Sequence, residues 1–566
     1  MDRPIAMPTE TSPAIPDRSG ANFFDDDAEL QSLLGVYLPQ PLHEHLLPHL
    51  RHLGALAGGP LDALANTADH NPPTLEHRSR TGESVQRIVK HPAYRELERV
   101  AFSEFGLAAM SHRAGVLGWD QTMPAIAKYA FTYLLVQAEF GLCCPLSMTD
   151  SLTRMLRKFG DPALAERYLP ELLSQDLDQL SQGAMFMTEQ RAGSDIAATE
   201  TRAVADGDGY LLYGDKWFCS NPDAALAMVL ARIDGAPAGM GGVSLFLLPR
   251  RLADGSFNAY RIVRLKDKLG TRSMASGEIE LNGARAYLVG EAGRGFQQMA
   301  DMVNNSRLSN GVRAAGLMRR AVGEAFFIAR HRGAFGRRLI DMPLMRRQLA
   351  KLLLPAEQAR TMLFQTAEAL RRSDAGEPGA YALVRILTPL IKFRACRDAR
   401  RVTGDAMEVR GGCGYIEEWS DPRLVRDAHL GSIWEGTSNI VALDVMRAIR
   451  REDSLTALTA HLERLLAELG ASQAPLRDAL AAALPRVAAL AQLASPRGGS
   501  EAQARRAASA LYHITTAIAM AWEASRTGSA LRTKLAALAL KHRLLPVDPL
   551  APETGDDDLA ALFDAA

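Results

Sequence analysis

The chain has 566 residues, 47% hydrophobic and 23% charged, and its 65 lysines and arginines balance 65 aspartates and glutamates. That length exceeds what one hydrophobic core serves, so roughly two to four domains are expected. The composition is that of an ordinary globular protein, and the balanced charge excludes an overall field directed at nucleic acid or an anionic membrane.

In chain order, residues 1–25 are expected to be disordered, and 1–20 lack the apolar core of a secretory signal. Residues 26–182 carry a helical pattern broken by proline and glycine. Met123–Glu139 is a long apolar run, Asp150–Phe159 ends at Gly160-Asp161-Pro162, and Asn71-Pro72-Pro73 marks a turn. The texture changes near Gly183. Short alternating runs at Gly209–Tyr213, Ala227–Ala231, Gly242–Leu248, Tyr260–Arg264 and Gly277–Leu281 are separated by Asp-Gly, Asn-Pro and Asn-Gly pairs. They predict a small β domain, barrel or sandwich, over 183–294. Helical periodicity returns near Gln297 and defines a helical domain over 295–450, interrupted at Gly411-Gly412-Cys413-Gly414. Residues 451–566 form an Ala- and Leu-rich helical extension with an acidic end at Asp556-Asp557-Asp558. The expected fold class is α+β, mainly α. Helices, then strands, then helices argue against a doubly wound dinucleotide fold. No apolar stretch is long enough for a transmembrane helix. The five cysteines, Cys143, Cys144, Cys219, Cys396 and Cys413, form no C-x-x-C pair, so reduced thiols in a cytoplasmic protein and no metal site are expected.

Ile433-Trp434-Glu435-Gly436-Thr437-Ser438-Asn439 is the most informative segment. It sets one carboxylate between an apolar approach and a run of small hydrogen-bonding residues. Exclusion of water by Ile433 and Trp434 would raise the pKa of Glu435 and make it a stronger base. The alternative is a helix N-terminus capped by Thr437 and Ser438, with Glu435 on the surface. Two further segments suit a flavin. In Met187–Asp195, Thr188 can serve a ring edge, and Gly193 with Ser194 can serve phosphates; a plain turn is the alternative. In Lys216–Asn221, Trp217 can lie beside a flat ring or be core.

These motifs, with Arg332-x-x-Phe335-Gly336 and Gly411-Gly412-x-Gly414-Tyr415, occur in the order and spacing of the acyl-CoA dehydrogenase family. The chain resembles that family over roughly 90–449. Asn71-Pro72-Pro73, His91-Pro92-Ala93, Arg264–Ser273, Ala406–Val409 and the long helical extension resemble its AidB branch, the alkylation-response flavoproteins. The resemblance implies an N-terminal helical domain, a middle β domain and a C-terminal four-helix bundle, assembled as a homotetramer with FAD. It implies that Glu435 removes the α-proton of a short or branched acyl-CoA while the β-hydride moves to flavin, with an electron-transfer flavoprotein as acceptor. Met187, Thr188, Gly193, Ser194, Trp217, Phe218, Cys219, Ser220, Thr437 and Asn439 resemble cofactor-contacting positions. Arg332 resembles the arginine that reaches the pyrophosphate of a neighbouring subunit's cofactor, with Phe335 packing on the adenine end. Arg307 is the candidate substrate contact. The chain departs from the family at Gln190 and Arg191, where proline and glycine are frequent, and at Asn304 and Asn305, where an aspartate is frequent before the arginine.

A different class of function is a DNA-binding protective flavoprotein with weak dehydrogenase activity. Residues 307–410 carry 21 lysines and arginines against 9 acids, with recurring pairs such as Arg319-Arg320, Arg337-Arg338, Arg346-Arg347, Arg371-Arg372 and Arg400-Arg401. Such a surplus can track duplex DNA, although arginines on helices also build subunit contacts. The extension holds 12 basic and 13 acidic residues, and Arg505, Arg506, Arg526, Arg532, Lys534, Lys541 and Arg543 are its candidate basic face.

Overall fold

The computed structural model describes residues 15–495, 500–546, 548 and 550. The acidic end at Asp556–Asp558 lies outside the described residues, as do residues 1–14 of the segment expected to be disordered. Residues 15–25 of that segment are ordered instead, because Phe23 and Phe24 are buried in the core.

The N-terminal part is built from α1 (Ala28–Tyr37), α2 (Gln40–Gly58), α3 (Pro60–His70), α4 (Pro92–Glu98), α5 (Ala125–Leu135), α6 (Cys143–Phe159) and α7 (Pro162–Leu172). Asp27 caps α1 by accepting from the Leu30 N–H at 3.1 Å, and Asp161 caps α7 with proline at its first position. One feature departs from the helical pattern. Thr74–Arg78 (β1) and Ser84–Val89 (β2) form an antiparallel hairpin directly after Asn71-Pro72-Pro73. Short, mostly exposed strands carry too little apolar periodicity to announce themselves.

The middle part is a closed barrel. β3 (Gly183–Phe186), β4 (Arg202–Asp206), β5 (Gly209–Ser220), β6 (Leu226–Ile233), β7 (Val243–Pro249), β8 (Tyr260–Leu265) and β9 (Ser276–Leu288) carry it. The ring runs β6–β4–β5–β9–β7 and returns to β6, with β3 added on β6 and β8 on β9. Closure satisfies every edge inside the ring. Met187–Asp195 is the loop that follows β3 rather than a strand, as its backbone leaves the sheet after Phe186.

Three long helices follow: α8 (Gly295–His331), α9 (Pro343–Asp374) and α10 (Ala380–Arg410). They pack on one another, and α12 (Ser438–Glu452) closes the bundle against α10, with α11 (Ser420–Gly431) between them in sequence. The extension forms α13 (Ser454–Ala467), α14 (Ala474–Ala494), α15 (Ala504–Thr527) and α16 (Ala530–Ala539). It folds back on the bundle, with α15 against α9, α10 and α12. Fully buried Arg532 on α16 joins Glu523 of α15 at 2.6 Å and Glu357 of α9 at 3.2 Å. No helix among the described residues is long and apolar enough to cross a membrane.

Candidate active site

The helical parts and the barrel meet around a cavity of about 650 Å³. Its walls are α6 (Cys144, Met148), the loop after β3 (Met187, Thr188, Gly193, Ser194), β5 (Phe218, Ser220), the segment 266–271, α8 (Phe296, Val303, Arg307) and the α11–α12 connection (Ile433–Thr437). An adjoining cleft of about 720 Å³ shares Ser194, Phe296, Arg307 and Arg447 with it and adds Arg294, Asn304, Tyr381, Arg385 and Arg451. An apolar chamber therefore opens into a cleft rich in arginine, a shape that suits a ligand with one apolar and one anionic end.

Glu435 stands in a left-handed turn at φ +55°, and Gly436 follows at φ +103°. A bulky residue at positive φ is strained, and such strain is kept where the surroundings over-determine it. Here two cations hold the turn. Arg307 Nε donates to the Glu435 carbonyl at 3.0 Å, while Lys392 Nζ donates to the Gly436 carbonyl. Arg307 is itself fixed by Asp444 at 2.6 Å. Trp434 stacks on Phe140 with ring centroids 5.9 Å apart, and the buried Arg313 guanidinium lies 4.7 Å from the indole centre. The Glu435 Oε2 atom is buried and has no hydrogen-bond partner. Burial pushes the carboxyl pKa above its ordinary value, against the opposing pull of Ser306, Arg307, Lys392 and Arg313. A desolvated carboxylate oxygen with no donor on it, in a residue at the wall of an apolar chamber, is able to accept a proton. Thr437 occupies the N-cap position of α12 without a side-chain capping hydrogen bond, and Glu435 before it is half-buried with its Oε2 atom fully so.

The loop after β3 is anchored from beneath. Glu189 accepts from Lys216 Nζ at 2.7 Å, the Thr201 hydroxyl at 2.6 Å and the Glu200 N–H at 2.6 Å. Burial works to raise the Glu189 pKa, but Lys216 and these donors hold it below the usual carboxylate range. The Trp217 N–H donates to the Thr188 carbonyl at 2.8 Å, which ties the loop to β5. Space beside Gly193 is open.

The candidate residues divide by location. Met187, Thr188, Gly193, Ser194, Phe218, Ser220, Arg307, Glu435 and Thr437 line the cavity. Trp217 lies on β5 with Lys266 Nζ 3.5 Å from its ring centre. Cys219 does not face the cavity: alternation along β5 turns its side chain into the barrel core, where it is fully buried. Asn439 points the other way, accepting from Arg505 of the extension at 3.4 Å. Arg332 donates to the Arg410 carbonyl at 2.8 Å, and Phe335 is 95% exposed at a hairpin tip, so neither lines this cavity. Lys392, Arg313, Cys144 and Lys268 were missed by sequence reasoning. Lys392 left one signal, a lone charge in the apolar stretch 386–393.

Acids outside the segment answer part of the arginine surplus of 307–410. Arg319 and Arg360 pair with Asp27, Arg320 with Asp62, Arg385 with Asp444 and Glu452, and Arg410 with Asp421. The candidate basic face of the extension is also broken up, since Arg526 pairs with Glu468 and Arg532 is buried. A different group of cations gathers instead. Burial lowers the pKa of Arg397, with like charge from Arg505, Arg400 and Arg394 adding to it, and Arg543 stands near Arg394 and Arg401.

The cavity suits a flat aromatic group with a polar edge: apolar walls, an orphaned buried carboxylate oxygen, and open backbone at Gly193. Comparison with known proteins agrees with this architecture. Residues 14–179 match the model of the adaptive response protein AidB N-terminal domain, 184–284 the acyl-CoA dehydrogenase middle domain, and 293–450 the acyl-CoA dehydrogenase C-terminal domain. The chain is 37% identical over 415 residues to AidB of Escherichia coli (strain K12), covering 71% of this chain and 73% of that one. It is 33% identical over 457 residues to acyl-CoA dehydrogenase family member 11 of Caenorhabditis elegans, covering 79% and 73%. The crystal structure of Caenorhabditis elegans ACDH-11 in complex with C11-CoA superposes with a TM-score of 0.88 at 29% identity, covering 96% of this chain and 95% of that one.

Proposed function

Because this chain belongs to the acyl-CoA dehydrogenase family, within its AidB-like branch, we propose that it binds FAD in the cavity and dehydrogenates an acyl-CoA thioester with Glu435 as the base. The carrying observation is the buried, unpartnered Glu435 Oε2 at the cavity wall. Glu435 takes the proton from the α-carbon, the C–H electron pair becomes the α,β double bond, and the β-carbon loses a hydride. When bound, FAD supplies the two-electron acceptor for that hydride, and an electron-transfer flavoprotein is the expected acceptor beyond it. Met187, Thr188 and Ser194 hold the cofactor, Gly193 leaves room for its phosphates, and Trp434 with Ile433 excludes water from the reacting carbons. The arginine-lined cleft takes the CoA phosphates, since planar guanidinium groups suit phosphate oxygens. Arg332 and the exposed Phe335 serve a neighbouring subunit of a homotetramer.

E435Q tests the assignment. The variant keeps its flavin absorbance but loses anaerobic bleaching by acyl-CoA by about 10²–10⁴-fold, the range for a positioned general base. Normal bleaching would refute Glu435 as the base. Titration with butyryl-, isovaleryl- and C11-CoA ranks the acyl chain; a short or branched chain is the expectation, and the C11-CoA complex of ACDH-11 brings a longer one into the same comparison.

One observation favours a second reading. The cluster of Arg397, Arg400, Arg401, Arg505 and Arg543 where α10 meets the extension is a cationic surface outside the cavity, next to the Arg394–Asp398 pair. It supports binding of duplex DNA there, as in a protective flavoprotein. Retention of DNA that falls steeply with salt and disappears in R397E/R505E is the expected result. Retention unaffected by both would remove this reading.

A further inference from the structure

The turn that carries Glu435 is held by more than its own backbone. Glu435 is a non-glycine residue at φ +55°, and Gly436 follows at φ +103°. Their two carbonyls, consecutive in the chain, each accept from a buried cation on a different helix. Arg307 of α8 donates to the first at 3.0 Å, and Lys392 of α10 donates to the second. Arg307 pairs with Asp444, which it shares with Arg385 and Arg447. Lys392 is 1% exposed, and no carboxylate stands within ion-pair distance of it among the described residues. A buried ammonium with one carbonyl and no counter-ion is costly to keep. It is retained where its charge does something for a neighbour. The charged and titratable groups that face it are Arg307 from α8, Cys396 from α10 itself and Glu435 from the turn, so the one carboxylate among them is Glu435.

We infer that Lys392 is a positioning residue for the base, holding the Gly436 carbonyl and with it the turn that sets the Glu435 carboxylate at the cavity wall, and supplying a nearby positive charge that favours the ionised form of that carboxylate. This rests on Glu435 acting as the base, as proposed above. Burial raises the carboxyl pKa, and Lys392 is among the groups that lower it again. Burial, with Arg307 adding to it, brings the Lys392 pKa down to about 8, against Cys396 and Glu435. The cation therefore persists in the neutral range and is lost above it.

Acyl-CoA turnover is measured across pH 5–10 in wild type, K392M, K392Q, K392R and E435Q. In K392M the acid limb of kcat/KM moves up by about one pH unit, the lower end of what a nearby opposite charge does to a carboxyl group. Its kcat falls at least tenfold while KM changes less than about twofold. K392Q keeps a donor for the Gly436 carbonyl but no charge, so its acid limb moves while its kcat at the optimum falls less than in K392M. K392R keeps charge and donor at every pH, so the acid limb stays in place and the wild-type fall in activity above about pH 8 is absent. An unmoved acid limb in folded K392M or K392Q overturns the inference. If neither neutral variant folds, K392R decides: an alkaline fall identical to wild type overturns it. E435Q separates the two proposals. An active E435Q refutes the base assignment itself, whereas an inactive E435Q with unmoved limbs in the Lys392 variants refutes the role of Lys392 alone.

Discussion

Glu435 shows how one residue type acquires chemistry from its neighbours. A surface glutamate titrates near its ordinary value; here burial raises it while Arg307 and Lys392 limit the rise. A second acid is also shifted upward. Asp427 on α11 accepts from the Thr271 N–H at 2.6 Å and lies among Glu139 and Asp69. Burial and these like charges push its pKa up to about 7. The sign follows directly. Its folded pKa lies above its unfolded one, so the folded state binds more protons in between, and stability falls as pH rises from about 4 through about 7. D427N mimics the protonated acid. Its thermal midpoint varies less with pH over 5–8, and its advantage over wild type grows towards pH 8, to about 1–3 kcal/mol. Parallel pH profiles for the two proteins would show that Asp427 is ionised throughout.

Among the elements, legibility followed apolar periodicity. The strands β5, β6, β8 and β9 contain the alternating runs at 209–213, 227–231, 260–264 and 277–281, and β7 takes all but Gly242 of the run 242–248, because each buries at least one face and must alternate or run apolar to do so. The long helices α8, α9 and α10 were visible for the same reason. The hairpin β1–β2 was not, since its strands are mostly exposed. Nor was the change at Phe186, where strand becomes loop. Met187–Asp195 owes its path to the Glu189–Lys216 pair and the Trp217–Thr188 hydrogen bond, contacts between residues about thirty apart. Motif spacing located this loop; only packing gave it a shape.

For the whole molecule, the extension is tied in by charge as well as by apolar contact. Arg532 has no exposed surface and answers Glu523, Glu357 and Glu29, at 2.6, 3.2 and 2.8 Å, while Glu523 also accepts from Tyr37 of α1 at 2.8 Å. One buried network thus joins the first helix, the bundle and the last helices. R532A strands these carboxylates, and its expected cost is about 3–5 kcal/mol, the range for breaking a buried ion pair. Earlier release of the 451–566 segment by protease and a lower urea midpoint are the readouts. A midpoint equal to wild type would show that apolar packing alone holds the extension. The same network explains why charge counted along the chain misled. The surplus at 307–410 and the seven basic residues of the extension looked like a binding surface, but acids far away in sequence, among them Asp27 and Asp62, answer part of the first, and Glu523 answers the buried Arg532 of the second.

The sequence by itself determined the order of helical and β parts, the family resemblance and the segment that sets a carboxylate at the cavity wall, because these are written in periodicity and in short motifs whose residues act near one another. Tertiary structure alone decided which members of a motif face the cavity, which charges remain free and what holds the Glu435 turn. Cys219 and Phe218 are adjacent in sequence yet face opposite sides of β5. Lys392 reaches Gly436 across 44 residues. Side-chain direction and long-range pairing depend on how elements pack, and a local pattern carries no record of that.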